Sequence, residues 1–174
     1  MRIAIVAGIA ALAVAASALA ALKPLSVTES VDIKAPPAKV WAAAKDFDGL
    51  NKWHPGFAKD ELTKGKNNAV GTVRALTIKD GPTFTEELLA FDEAAHTYKY
   101  RIIESPLPLN NYVANFKVAP GKDGGTHVTW SANFTRKNPA DSPPEGETDA
   151  AAVKLITDVF KSGLANLKKQ AEGS

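Results

Sequence analysis

The chain has 174 residues, 45% of them hydrophobic and 23% charged, a balance that suits one ordinary folded domain. Its formal net charge is +2, and no basic cluster of the kind that nucleic acid demands stands out. It has no cysteine, which excludes a disulfide framework, thiolate metal ligands and a lipid attached through cysteine.

The opening run, MRIAIVAGIAALAVAASALA, places Arg2 ahead of an uncharged Ala/Val/Ile/Leu stretch that closes on Ala18-Leu19-Ala20. That order is a charged n-region, an apolar h-region and a small-residue cleavage site. Residues 1–20 therefore read as a secretory signal and residues 21–174 as the mature domain. A retained membrane anchor is the alternative, at the lower limit of length for a span. Cleavage would leave a periplasmic or secreted domain with no stable membrane anchor.

After Pro24 the sequence LSVTESVDIKAP puts Val27, Glu29, Val31 and Ile33 on one face, which predicts a strand. Pro36-Pro37 stop it, and Pro37 suits the first position of a helix, where its missing N–H costs nothing. AKVWAAAKDF then carries Val40, Trp41, Ala44 and Phe47 at helical spacing. Asp48 is placed to cap a second short helix, GLNKWH, and Pro55-Gly56 end it. From Phe57 onward the period changes to two. FAKDELTKG reads as a strand, and AVGTVRALTIKDGPTFTEELLAFDE as a hairpin turning at Asp80-Gly81. HTYKYRIIESPLPL, NYVANFKVAP and THVTWSANFTRKN read as three more strands, separated by proline and glycine turns. The loop NPADSPPEGE leads into one long helix. Its stripe of Val153, Ile156, Phe160, Leu164 and Leu167 steps by three and four. The fold class is α+β: a curved antiparallel sheet of about seven strands wrapped around that helix.

The block APPAKVWAAAKDFDGLNKWHPG, with Gly71, Arg74 and Glu86-Glu87, YKYRI, LPLNNY and Trp130, resembles the helix-grip superfamily. This group holds Bet v 1-like proteins, START domains and polyketide cyclase/dehydrase-like proteins. Among its members the chain looks most like exported ones associated with periplasmic methanol oxidation. The resemblance implies a cavity between sheet and long helix, and a superfamily that shares its fold far more than a reaction.

The residues give that cavity candidate walls. A two-residue Asp80-Gly81 turn would set Arg74 opposite Glu87, with Val70, Leu76, Ile78, Leu89 and Phe91 on the same face. A register slip of one would bring Glu86 inward instead. Trp53-His54 is read first as a lid-and-turn element at the pocket mouth, with a ligand-lining or acid–base role for His54 as the second reading. Tyr98 and Tyr100, Tyr112 and Phe116, and Trp130 and Phe134 each fall on one face of their strand, which reads as core packing for most of them; the tyrosines carry hydroxyls that a buried site must satisfy. Phe160 lies on the helix stripe. Gly163 interrupts that helix at a cost of about 1 kcal/mol against alanine, and three readings stand: room for a ligand, close packing on the sheet, or a tolerated surface glycine. The candidate ligand-binding set is therefore Trp53, His54, Arg74, Glu87, Tyr100, Tyr112, Trp130, Phe160 and Gly163. His54, His96 and His127 lie on separate segments, so no metal site is expected, nor any cofactor or catalytic set.

Three functions remain open. One is an exported protein that binds a small apolar molecule. Another is an accessory protein docking on a periplasmic oxidoreductase such as methanol dehydrogenase. The third is a polyketide cyclase/dehydratase-like enzyme, which would need an acid–base set that no motif supplies.

Overall fold

The structure, a computed structural model, describes residues 22–173; the residues read as an export signal lie outside that range. Strand β1 (Leu25–Ile33) is followed by two short helices, α1 (Pro37–Ala44) and α2 (Leu50–Trp53). Six strands follow: β2 (Phe57–Lys64), β3 (Val73–Ile78), β4 (Thr83–Asp92), β5 (Thr97–Glu104), β6 (Leu109–Pro120) and β7 (Thr126–Arg136). The long helix α3 (Asp149–Glu172) closes the order. The strands make one antiparallel sheet in the order β1-β7-β6-β5-β4-β3-β2. This is the helix-grip architecture.

Alternation decides which face of the sheet is covered. In β7, Thr126, Val128, Trp130, Ala132 and Phe134 are buried while the residues between them are more exposed. The partner on the buried face is α3, where Ile156, Phe160, Leu164 and Leu167 form the buried stripe. Phe160 stacks on Trp130 with ring centroids 4.3 Å apart and planes 13° off parallel. Thr148 caps α3 by accepting from the Ala151 N–H, so one of the four orphan donors of the first turn is satisfied. No described helix is long and apolar enough to cross a membrane.

Irregular register bends the sheet. Shifts occur in β2–β3, in β4–β5 and near the start of β6, where Asn111 takes a left-handed φ of 55°. Pairing of β5 with β6 runs only to Arg101↔Val113, although both strands extend further. At that end the sheet parts, and Ile102, Leu107 and Tyr112 border the opening.

Two local expectations are corrected. Asp48 does not cap α2: Gly49 is the N-cap, and the Leu50 N–H donates to Asp60 Oδ2 of β2 at 2.8 Å. The β3–β4 turn holds three residues, Lys79, Asp80 and Gly81, with Asp80 at φ 57°. A two-residue turn would ask Pro82 for an N–H that proline lacks; instead its carbonyl accepts from the Ile78 N–H at 3.0 Å. One extra turn residue moves the register by one, so Arg74 pairs with Glu86 rather than Glu87.

Candidate functional site

Arg74 is 1% exposed and sits under the inner face of the sheet. Its Nε and Nη2 donate to Glu86 Oε2 at 2.9 and 2.6 Å. Its Nη1 donates to the Phe47 carbonyl at 2.5 Å and to Asp60 Oδ2 at 3.2 Å. The guanidinium also lies 4.2 Å from the Phe47 ring centroid. Arg74 thereby ties β3, β4, β2 and the end of the α1–α2 segment into one buried knot. Burial works against its charge, but the Glu86 and Asp60 carboxylates more than offset that and hold it firmly protonated.

The knot contains two carboxylates and one cation. Glu86, 4% exposed, has its pKa pushed up to about 7, because burial outweighs the pull of Arg74. Asp60 is raised as well, again by burial first. Its Oδ1 is buried without a hydrogen-bond partner. Two buried carboxylates facing one guanidinium cannot both be ionised without leaving a net negative charge in a low-dielectric site.

Above this knot, between α3 and the sheet, lies a space of about 170 Å³. Leu50, Phe84, Trp130 and Ile156 line it, together with the carboxyl-bearing Glu86. Its rim is half-buried and apolar: Phe57, Ile78, Ile102, Leu107, Leu155 and Val159. Tyr100 and Tyr112 bring hydroxyls to the wall, and the Tyr100 hydroxyl accepts from Trp130 Nε1 at 2.9 Å. Burial raises both phenols far above the ordinary range, so they stay neutral.

His54 lines the same space as the C-cap of α2, yet neither ring nitrogen is free. The Gly56 N–H donates to Nδ1 at 3.0 Å, so that atom carries the lone pair. Nε2 lies 2.8 Å from the Val159 carbonyl of α3 and must donate to it. Burial holds the imidazole below its ordinary pKa. His54 is therefore a neutral pin between the short helix and the long one. Gly163 is what lets the pin reach: a Cβ there would overlap the His54 ring, with Nε2 at 2.9 Å and Trp130 Cζ3 at 3.0 Å.

Of the nine candidate residues, the structure brings His54, Tyr100, Tyr112 and Trp130 to this space. Arg74 sits behind Glu86 and does not line it. Trp53 is core, packed on Phe116 and Trp130. Phe160 backs Trp130, and Gly163 backs His54 and Trp130. Glu87 is displaced to the outer face, where it accepts from Arg101 at 2.8 Å, because the longer turn reverses the parity of β4. Glu86 takes its inward place. Asp60 belongs to the site without being among the nine; its cue in the sequence is that it shares parity with Leu62, the single large aliphatic of β2. Among the described residues no group of His, Asp and Glu is arranged to hold a metal ion.

The geometry has counterparts. The abscisic acid receptor PYL10 of Arabidopsis thaliana is 28% identical over 144 residues, 80% of this chain and 75% of that protein. Pathogenesis-related protein A of Petroselinum crispum is 32% identical over 100 residues, 52% of this chain and 63% of its own length. Among solved structures, the protein XoxI from Bacillus cereus superposes with a TM-score of 0.73 at 28% identity, covering 84% of this chain and 94% of that one. Ara h 8.0201 superposes at 0.67, covering 87% of this chain and 100% of that one; at 24% identity this is a likeness of fold. The model of the family described as polyketide cyclase / dehydrase and lipid transport matches residues 24–172, nearly all of the described chain, and the protein belongs to that family.

Proposed function

We propose that the protein binds one small, largely apolar molecule in the space between α3 and the sheet. The observation that carries this reading is an apolar-walled space of about 170 Å³ with a single buried carboxyl group, Glu86, in its wall. An apolar protein cavity of ~150 Å³ takes a benzene ring, so the fitting occupant is one ring with a short substituent, or an aliphatic of that bulk. Burial of its apolar surface would contribute roughly 25 cal/mol per Å² before association costs are subtracted. Membership of a family whose description includes lipid transport, and likeness to a receptor for a small molecule, support the same reading.

Export belongs to the proposal too, supported by the Arg2-to-Ala20 run. Native mass spectrometry of protein purified from its own cell compartment tests the function. A copurified small molecule released on denaturation is the expected result. A copurified redox protein with no small molecule would overturn the reading in favour of docking on an oxidoreductase.

A further inference from the structure

The charge count in the wall goes further than the presence of a cavity. Titratable groups face Glu86 from four strands and from the end of α2. Arg74 of β3 and Asp60 of β2 lie behind it, Tyr98 and Tyr100 come from β5, and Tyr112 from β6. His54 closes α2, while α3 presents Leu155, Ile156 and Val159. Arg74 is the one cation in this set; four of its five N–H donors go to Glu86 Oε2, Asp60 Oδ2 and the Phe47 carbonyl, and it does not line the space. Both nitrogens of His54 are engaged. No cation therefore turns toward the space.

Glu86 Oε2 is held by Arg74, and no hydrogen bond reaches Oε1. Oε1 is thus the wall's unengaged carboxyl oxygen. An anionic ligand would add a third negative charge beside two carboxylates that already share one guanidinium. A neutral ligand with a hydrogen-bond acceptor meets a different wall, because a proton held on Glu86 neutralises the knot and turns Oε1 into a donor.

Resting on the small-molecule reading above, we infer that the cavity excludes anions and takes a neutral molecule whose carbonyl, ether or ring-nitrogen acceptor receives a hydrogen bond from protonated Glu86. Binding is then coupled to that proton. With the carboxyl titrating at about 7, affinity falls roughly 30-fold between pH 6 and pH 8.5. The proton is taken up on binding at the alkaline end.

Three probes of matched bulk test this by ¹H–¹⁵N NMR titration of the folded protein: acetophenone, benzoate and ethylbenzene. At pH 6 acetophenone binds most tightly, with benzoate at least tenfold weaker. Its affinity drops toward pH 8.5, and calorimetry in buffers of different ionisation enthalpy records an uptake approaching one proton at pH 8.5. Glu86→Gln, whose carboxamide donates without titrating, makes the pH profile flat. The inference is overturned if benzoate or ethylbenzene binds as tightly as acetophenone, or if wild-type binding is independent of pH without proton uptake. Both of those results leave the small-molecule reading standing. Silence from all three probes at millimolar concentration overturns that reading, and this inference with it.

Discussion

Replacing Gly163 with alanine separates two accounts of a glycine inside α3. An exposed helical glycine gains about 1 kcal/mol on becoming alanine. Here the new Cβ would sit 2.9 Å from His54 Nε2 and 3.0 Å from Trp130 Cζ3, inside ordinary contact. The His54 ring is pinned at both nitrogens and cannot yield without losing its bond to the Val159 carbonyl. A buried donor left unpaired costs about 1–3 kcal/mol, and overpacking against Trp130 about 1–3 more. Against the helix gain, Gly163→Ala should destabilise by about 1–5 kcal/mol in urea denaturation followed by circular dichroism. In a His54→Ala background the same substitution should cost at least ~1 kcal/mol less, because the clashing ring is gone. If Gly163→Ala alone stabilises the protein by ~1 kcal/mol at unchanged m-value, the pin between α2 and α3 is not what the glycine serves.

Other expectations follow from the same contacts. Phe160→Ala, which removes the ring stacked on Trp130, should lower stability by about 3–5 kcal/mol; an unchanged denaturation midpoint would mean that α3 packs otherwise. Arg74→Met leaves two buried carboxylates without their cation and should cost about 3–5 kcal/mol at pH 7.5, and less at pH 5, where they hold protons more readily; equal losses at both pH values would contradict the knot. Glu86 titrates at about 7 folded against an ordinary 4.5, so the folded state holds the proton between those values. Its contribution is greatest below 4.5 and declines by about 3 kcal/mol as pH rises to 7. His54, lowered by burial, acts in the opposite sense below 6.5, so the Glu86 effect is read as the difference between wild type and Glu86→Gln; a difference that is flat with pH would refute it. If export holds, mass spectrometry of the protein from its own cell compartment should find a mature N-terminus near Ala21, and an intact Met1 on soluble cytoplasmic protein would end the export proposal.

Most of the fold was legible because its signals are local and periodic. The change from helical spacing at Val40-Trp41-Ala44 to alternation after Phe57, and the stripe from Ile156 to Leu167, each state an element and its buried face. The site was only half legible, since register is not a local property. Asp80-Gly81 looks like a two-residue turn, but Pro82 has no N–H to close one, and the extra residue exchanges Glu86 for Glu87. That proline was the available cue. Long-range partners left less trace. Asp60 capping α2 and Val159 accepting from His54 join segments 10 and 105 residues apart; parity with Leu62 turns Asp60 inward, but local pattern names neither partner.

The central claim is that a small molecule sits between α3 and the sheet, and filling that space tests it most directly. Val159 lies half-buried on the rim, facing the space from α3. Val159→Trp should leave the circular dichroism spectrum of the fold intact and weaken binding of a small neutral environment-sensitive dye at least tenfold in a fluorescence titration. Dye affinity unchanged in the folded variant would place any binding elsewhere on the molecule and contradict the account.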